Sequence, residues 1–246
     1  MVRNPYYPEQ VTRYVLNPSV VDVLVFCTKN PQPMISRLER LSTYDMFWFV
    51  TITPYGREIE PFVPHKEKVI ESFRQLSEMT GREKMSWRYD PVFITEKYSV
   101  DYHIACFAEM TEKLRGYTGQ CVVSFLDLYE KTKRNFREAR GVTRDEQERI
   151  IEAFAGIAEA NGMQVPKKKT AREACSCLLG ADIGVYNTCG HGCLYCYANY
   201  DRKSVEENRK RHDVNSPLLI GHLKETDHVK EAQQKSFKDT QMRLFL

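Results

Sequence analysis

Near the N-terminus stands Val20-Val21-Asp22-Val23-Leu24-Val25-Phe26-Cys27, an almost continuous apolar run that is rich in β-branched residues. Runs of this kind are typical of a parallel strand that is buried on both faces. A polar loop, Thr28-Lys29-Asn30-Pro31, follows and marks the end of the strand. We therefore expect a parallel sheet in which Cys27 packs as a small buried hydrophobe.

Strands and amphipathic helices then alternate along the chain. Apolar runs predict further strands at 46–53, 84–89, 121–126, 163–165 and 182–186. Helices are predicted at 65–79, at 99–115 after the N-cap Ser99, and from the capping box Thr143-Arg144-Asp145-Glu146 to Gly162. This alternation predicts an α/β fold with about six parallel strands, and we favour a partial or full βα barrel over an open doubly wound sheet. We expect one barrel domain over residues 1–200 and a helical or irregular extension over residues 201–246 that packs on it.

Polar residues gather at the predicted ends of the strands. In a βα barrel the reactive groups collect at the C-terminal ends of the strands, so these residues are expected to share one mouth. Arg88 and Asp90 could bind the carboxylate and the ammonium group of a cofactor through paired charges. An ion pair between Arg88 and Asp90 inside the barrel is the alternative. The residues at the strand ends are Thr28, Lys29, Asn30, Thr51, Thr53, Arg57, Arg88, Asp90, Ser124 and Asp127.

The last predicted strand runs into a loop with three cysteines, Cys189, Cys193 and Cys196, at the spacing C-x3-C-x2-C. Cysteine thiolates at close spacing hold iron–sulfur clusters, and three thiolates leave one iron of a four-iron cluster open for a ligand. Gly190 and Gly192 let the backbone bend between the first two cysteines. With an aromatic residue, Tyr195, before the last cysteine, the loop resembles the cluster loop of radical S-adenosylmethionine enzymes. We therefore expect a 4Fe-4S cluster and S-adenosylmethionine as cofactors.

A structural zinc site is the alternative for the same region. Cys175 and Cys177 lie just upstream and His191 lies within the loop, so four of these side chains could form a tetrahedral zinc site. Zinc sites usually pair one C-x2-C with a second C-x2-C or with H-x3-H, and neither pair is present, which favours iron–sulfur. Cys175 and Cys177 could bind a second cluster, supply a fourth ligand to the first, or act as redox-sensitive thiols.

Composition limits the protein class. The chain has 246 residues, of which 42% are hydrophobic, and a formal net charge of +3. It contains no apolar run of about 20 residues and no N-terminal signal peptide, so we expect no membrane segment. The near-neutral charge argues against nucleic acid as a partner. Eight cysteines, five of them close together, indicate metal ligands in a reducing cytoplasm. Cys106, Cys121 and His103 are expected to be structural core residues.

Several stretches resemble a bacterial family, the domain-of-unknown-function 1848 family. They are Phe26-Cys27-Thr28-Lys29-Asn30-Pro31, Thr51-Ile52-Thr53-Pro54-Tyr55-Gly56-Arg57, Trp87-Arg88-Tyr89-Asp90-Pro91, Ser124-Phe125-Leu126-Asp127-Leu128-Tyr129, Tyr186-Asn187-Thr188-Cys189 and Asp213-Val214-Asn215-Ser216-Pro217-Leu218-Leu219. The resemblance implies a radical S-adenosylmethionine-like cluster motif near the C-terminus, and hence a permuted barrel in which the cluster strand comes last. Family members begin with an extra strand and have a longer segment before the counterpart of Cys175, so the chain is expected to be a shortened form.

Together these features predict an iron–sulfur protein of radical S-adenosylmethionine type with an unknown substrate. Lys29, Arg88, Asp90 and Tyr195 are the predicted cofactor-binding residues. Cys189, Cys193 and Cys196, with Cys175 and Cys177, are the predicted metal ligands. A catalytic role would require a small electron donor such as a flavodoxin or a ferredoxin. The alternative is a non-catalytic protein, stabilised by zinc or by a cluster, or an inactive shortened paralogue.

Overall fold

The computed structural model describes residues 1–128, 130–164, 180–236 and 238. Its strands are β1 (Val2–Arg3), β2 (Gln10–Arg13), β3 (Leu24–Thr28), β4 (Met46–Thr51), β5 (Met85–Val92), β6 (Cys121–Phe125) and β7 (His228–Glu231). Its α-helices are α1 (Gln32–Ile35), α2 (Lys66–Thr80), α3 (Val100–Leu114), α4 (Glu130–Asn135), α5 (Arg144–Ala160) and α6 (Arg202–Lys210). Short 3-10 helices lie at Leu38–Leu41 and Arg82–Lys84.

Strands β3, β4, β5 and β6 form a four-stranded sheet in which every pairing is parallel. This confirms the predicted α/β fold with a parallel sheet. The spatial order of the strands is the same as their order in the chain, whereas a doubly wound sheet reverses its order at a switch point. Within the described ranges the strands do not close into a barrel.

The main core lies between this sheet and the helices α2, α3 and α5. Its largest fully buried side chains are aromatic and come from both layers. Phe107 of α3 stacks on Phe154 of α5, with ring centroids 3.8 Å apart, and on Trp87 of β5 at 4.9 Å. Burying a side chain of this size stabilises the fold by roughly 2–3 kcal/mol. These three rings therefore join the sheet firmly to two helices.

The helix boundaries agree closely with the predictions. The Ser99 side chain accepts a hydrogen bond from the Tyr102 backbone N–H and begins α3. Thr143 and Glu146 form both hydrogen bonds of the predicted capping box at the start of α5. The predicted helix at 65–79 is α2. Capping chemistry and 3.6-residue periodicity identified α3 and α5, whereas periodicity alone identified α2, which has no side-chain cap.

The first strand differs from its prediction. It begins at Leu24 rather than at Val20, and it lies at the edge of the sheet. Phe26 packs against the core, whereas Val25 and Cys27 on the opposite face are exposed. The expectation of a strand buried on both faces, with Cys27 as a core residue, is therefore wrong. An edge position cannot be read from an apolar run, because the run does not record what covers its second face.

Two other predicted strands are not found as strands among the described residues. Residues 182–186 form no strand in the described part of the chain. The Gly184 N–H instead donates to Asp182 Oδ1 at 2.8 Å, and such local side-chain hydrogen bonds compete with a sheet ladder. The segment at 163–165 contributes only an isolated parallel bridge between Gln120 and Gln164, and Val165 lies outside the described residues.

A second sheet joins the two ends of the chain. Strand β2 pairs with β1 in antiparallel fashion and with β7 in parallel fashion. Arg3 adds an ion pair to Asp227, with Nη2 donating to Oδ2 at 2.7 Å. The 201–246 segment therefore contains a helix and a strand, and its strand is fixed to the N-terminal segment. None of the helices in the described ranges has the length and apolarity needed to span a bilayer.

Candidate functional site

The three cysteines lie on a loop, residues 187–200, that we call the cysteine loop. Two backbone hydrogen bonds tie it to the segment that follows β4. The Leu194 N–H donates to the Ile59 carbonyl at 3.0 Å, and the Phe62 N–H donates to the His191 carbonyl at 3.1 Å. Since residues 59–62 come after the C-terminal end of β4, the loop is held at that edge of the sheet. Reactive groups of parallel α/β proteins gather at this edge.

Hydrogen bonds within the cysteine loop fix its shape. Asn199 Nδ2 donates to the Cys189 carbonyl at 2.7 Å, and the Cys196 N–H donates to the Cys193 carbonyl at 3.1 Å. Gly192 has a φ of 68°, and an added Cβ would lie 3.0 Å from the Phe62 ring. The loop therefore requires glycine at this position, both for its left-handed backbone and for space.

A buried carboxylate anchors the aromatic residue of the loop. Glu60, which is 5% exposed, accepts hydrogen bonds on Oε1 from Lys29 Nζ at 3.0 Å, from Thr53 Oγ1 at 2.7 Å and from the Tyr195 hydroxyl. The Lys29 ammonium also lies 5.6 Å from the centroid of the Tyr195 ring. The structure thus brings together two residues, Lys29 and Tyr195, that were predicted for separate reasons.

The sequence analysis missed Glu60. It follows β4 by nine residues and belongs to no motif, and its partner Tyr195 is 135 residues away. Only the fold shows that this carboxylate links the strand ends to the cysteine loop.

The three thiols have different environments. Cys189 is exposed, whereas Cys193 and Cys196 are half-buried. Burial raises the pKa of the Cys193 thiol to about 12, against the opposing effect of the Lys29 charge. His191 Nδ1 lies 3.4 Å from Cys189 Sγ. Burial and the positive charges of Lys29 and Arg209 lower the pKa of His191. Since soft metals prefer thiolate and imidazole ligands, these four side chains are the candidate donors.

The thiols are not gathered into a ready coordination sphere. Among the described residues, no group of three or more His, Cys, Asp or Glu side chains is arranged to hold a metal ion. Cys175 and Cys177, the other predicted ligands, lie outside the described residues.

A cavity of about 950 Å³ separates the cysteine loop from helix α6. Cys189, Cys193 and Cys196 all line it. Helix α6 forms the opposite wall, and the Asp201 side chain caps its N-terminus. Asn208 Nδ2 donates to the Asn187 carbonyl at 3.2 Å and so holds the helix against the cysteine loop. The size is within the range typical of cofactor and ligand sites.

Arg88 and Asp90 lie on the face of the sheet opposite the main core. Arg88 Nη2 donates to Asp90 Oδ2 at 2.8 Å, and the Ser124 hydroxyl donates to Asp90 Oδ1. The Arg88 guanidinium also lies 5.8 Å from the centroid of the Phe49 ring. Arg88 and Asp90 are therefore paired with each other, and they are not among the described residues that line the cavity. Although Cys27 as a residue is exposed, its thiol lies beside Arg88, where partial desolvation raises the pKa of the thiol and the Arg88 charge opposes this shift.

The remaining candidates occupy structural positions. Cys121 is 1% exposed, and burial raises its pKa far above the usual range. His103 is fully buried between the Tyr89 hydroxyl and the Phe93 carbonyl, each at 2.9 Å from a ring nitrogen. Cys106 is half-buried on α3. The burial of Cys121 and His103 agrees with the expectation that they are core residues, whereas Cys106 belongs to neither cluster of buried hydrophobic residues.

A family model described as a domain of unknown function, DUF1848, matches residues 1–167 and residues 163–198. No curated protein matches the chain. The matched residues include the parallel sheet and the three cysteines of the cysteine loop, whereas helix α6 lies beyond them.

Proposed function

The chain belongs to this family of unknown function, DUF1848, and from that membership we propose that it binds an iron–sulfur cluster and acts as an enzyme of radical S-adenosylmethionine type. One observation supports this most directly. The three thiols of the C-x3-C-x2-C motif line a single cavity, on a loop held at the C-terminal edge of a parallel sheet. The other described cysteines, Cys27, Cys106 and Cys121, lie on the sheet or on α3, away from this loop.

The donor set fits a cluster. Three thiolates are the ligands that iron–sulfur clusters use, and they would leave one iron of a four-iron cluster open. Binding would require the side chains of Cys189, Cys193 and Cys196 to turn toward a common centre. It would also require the Cys193 thiol to lose its proton, which a bound metal brings about. The Lys29 charge already favours the thiolate at Cys193.

The chemistry supplied by a bound cluster and cofactor would be one-electron cleavage of a sulfonium to give a carbon radical. The residues of this chain would bind and orient the cluster and the cofactor and would shield them from water. Glu60 would hold the Tyr195 hydroxyl and so fix the cysteine loop, while Lys29 would place a positive charge beside Cys193. Arg88 and Asp90 would bind the amino acid part of the cofactor only by exchanging their mutual ion pair for that ligand.

We propose that the sheet is part of a βα barrel. Two features support this extension of the observed fold. The strand order follows the chain order, and the bridge between Gln120 and Gln164 continues the parallel sheet beyond β6.

The proposal also assigns the protein to the cytoplasm, where thiols stay reduced. Its electron donor would be a small protein such as a flavodoxin or a ferredoxin.

A structural zinc site is the second candidate. The contact of 3.4 Å between His191 Nδ1 and Cys189 Sγ supports it, because His191 would complete a Cys₃His set with the three thiols of the loop. In that case the protein would be non-catalytic, and the metal would chiefly stabilise the loop.

Metal analysis separates the two candidates. Anaerobic reconstitution of the full chain should give about four irons and four sulfides per chain. Replacing Cys189, Cys193 or Cys196 by Ala should abolish iron binding, whereas Cys121→Ala should retain it and cost about 1 kcal/mol in stability. Stoichiometric zinc without iron uptake, or a cluster that survives Cys193→Ala, would contradict the proposal.

A further inference from the structure

Helix α6 forms the wall of the cavity that faces the cysteine loop, and its sequence has two different faces. Residues 202, 205, 206, 209 and 210 line the cavity, and their spacing is that of one helix face. Lys203 and Glu207 are not among the lining residues, and their ion pair, at 3.9 Å, is exposed. The charged side chains of α6 are all exposed, and those at 202, 206, 209 and 210 also border the cavity, whereas those at 203 and 207 do not.

The side of α6 that borders the cavity carries an excess of positive charge. Arg202 pairs with Glu206 at 2.7 Å and lies 5.0 Å from the centroid of the Phe62 ring. The Asp201 side chain is used to cap the helix. Within the described ranges, no carboxylate forms an ion pair with Arg209 or Lys210, which also line the cavity.

Arg209 is close to the cysteine loop. A Cβ added at Gly190 would collide with its guanidinium, and its charge contributes, after burial and Lys29, to the lowered pKa of His191. An anion held by Arg209 would therefore lie next to the three thiols. Arg209 and Lys210 present a guanidinium and an ammonium to the same cavity. Two positive charges match the double charge of a phosphate monoester better than the single charge of a carboxylate.

We infer that Arg209 and Lys210 form a phosphate-binding subsite of the cavity and that the substrate is a small molecule carrying a phosphate monoester. This substrate assignment rests on the proposed function, whereas the anion site itself rests on α6. In solution, inorganic phosphate should compete for the same two cations.

The test is calorimetric titration of inorganic phosphate into the cluster-loaded full chain at low ionic strength, with acetate as a second probe. Arg209→Gln and Lys210→Gln should each weaken phosphate binding by about tenfold. Glu206→Gln should strengthen it, because it removes a negative charge from the cavity wall. Lys203→Gln and Glu207→Gln change the charge of the same helix at positions that do not line the cavity and should leave the affinity unchanged.

The outcomes separate this inference from the proposed function. Iron and sulfide are measured in each sample, so that failure of the cluster to form is distinct from failure of phosphate to bind. The inference is overturned if phosphate does not bind, or if Lys203→Gln weakens binding as much as Arg209→Gln. Acetate binding as tight as phosphate binding would replace the phosphate assignment by a carboxylate. An Arg209→Gln protein that loses iron but keeps its phosphate affinity would assign this guanidinium to the metal site.

Discussion

Glu60 is the residue through which the sheet and the cysteine loop are joined. Its buried Oε1 accepts hydrogen bonds from Lys29, Thr53 and Tyr195, so it holds one positive charge and one loop side chain in place together. The charges of Lys29 and Glu60 should change the reduction potential of a cluster bound at Cys193, because charges in a partly buried site are poorly screened.

The charges of Lys29 and Glu60 should shift the reduction potential of the cluster in opposite directions. Reduction adds negative charge, which Lys29 stabilises and Glu60 disfavours. Lys29→Met should therefore lower the potential, and Glu60→Gln should raise it, in a redox titration followed by electron paramagnetic resonance.

Two controls accompany this measurement. Tyr195→Phe removes a hydrogen bond to Glu60 without changing a charge. It should shift the potential less than Lys29→Met or Glu60→Gln does. Lys113→Met removes a half-buried cation at the C-terminal end of α3, outside the cysteine loop and its contacts, and should hardly shift the potential. Shifts of the same sign in Lys29→Met and Glu60→Gln would show that the two residues act only through loop structure.

His103 should make the fold sensitive to acid. Burial lowers the pKa of its ring to about 4, although a hydrogen bond to the Phe93 carbonyl opposes this shift. An unfolded histidine titrates near 6.5, so the unfolded state binds the additional proton between these two values and stability falls as the pH drops from about 6.5 to about 4. The full loss should be about 3 kcal/mol.

Urea unfolding at pH 7.5 and at pH 4.5 measures this loss. The His103→Gln protein should be less stable at pH 7.5 but should lose correspondingly less on acidification. Equal losses in the two proteins would assign the acid sensitivity to other groups.

At the scale of elements, the cysteine loop and helix α5 offer a matched pair of glycines. Gly192→Ala places a Cβ in a left-handed backbone and 3.0 Å from Phe62, which should cost about 1–2 kcal/mol and reduce iron uptake. Gly156→Ala adds a Cβ that meets nothing within 4 Å in an exposed part of α5, which should stabilise the protein by up to about 1 kcal/mol.

Thermal unfolding and iron content check both glycine variants. A Gly192→Ala protein with normal stability and full iron uptake would show that the loop tolerates another backbone conformation. In that case the cysteine loop would not be a rigid frame for the three thiols.

The elements that the sequence predicted well are those with local signals. Helices α3 and α5 begin at Ser99 and Thr143, whose capping hydrogen bonds involve only neighbouring residues. The errors concern long-range pairing. Cys27 is exposed because it lies on the face of β3 opposite the core-packed Phe26, and residues 182–186 form a local side-chain hydrogen bond rather than a strand. Neither the neighbours of a strand nor its position in a sheet can be read from its own residues.

The candidate site was predictable only in part for the same reason. The spacing of Cys189, Cys193 and Cys196 is local and could be read directly. Glu60 and Arg209 could not, because each meets the cysteine loop through the fold: Glu60 across 135 residues and Arg209 through the docking of α6. The charged side chains of α6 are exposed, and only the fold shows that some of them also line the cavity.

At the scale of the whole molecule, the parallel sheet carries the cysteine loop at one edge, and α6 closes the cavity from the other side. Strand β7, which follows α6 in the chain, pairs with β2 near the N-terminus. The two ends of the chain therefore hold each other, and this pairing restrains the segment that carries α6.

The central claim is that the three thiols hold a cluster whose fourth iron is open to S-adenosylmethionine. Electron paramagnetic resonance of the dithionite-reduced, reconstituted protein tests it most directly. Excess S-adenosylmethionine should change the spectrum, because a new nitrogen–oxygen chelate alters the ligand field of that iron. If Cys175 or Cys177 occupies the fourth iron, the change should appear only in the Cys175→Ala, Cys177→Ala double variant. A spectrum that the cofactor leaves unchanged in both proteins would contradict the claim and leave a cluster-binding protein without this cofactor.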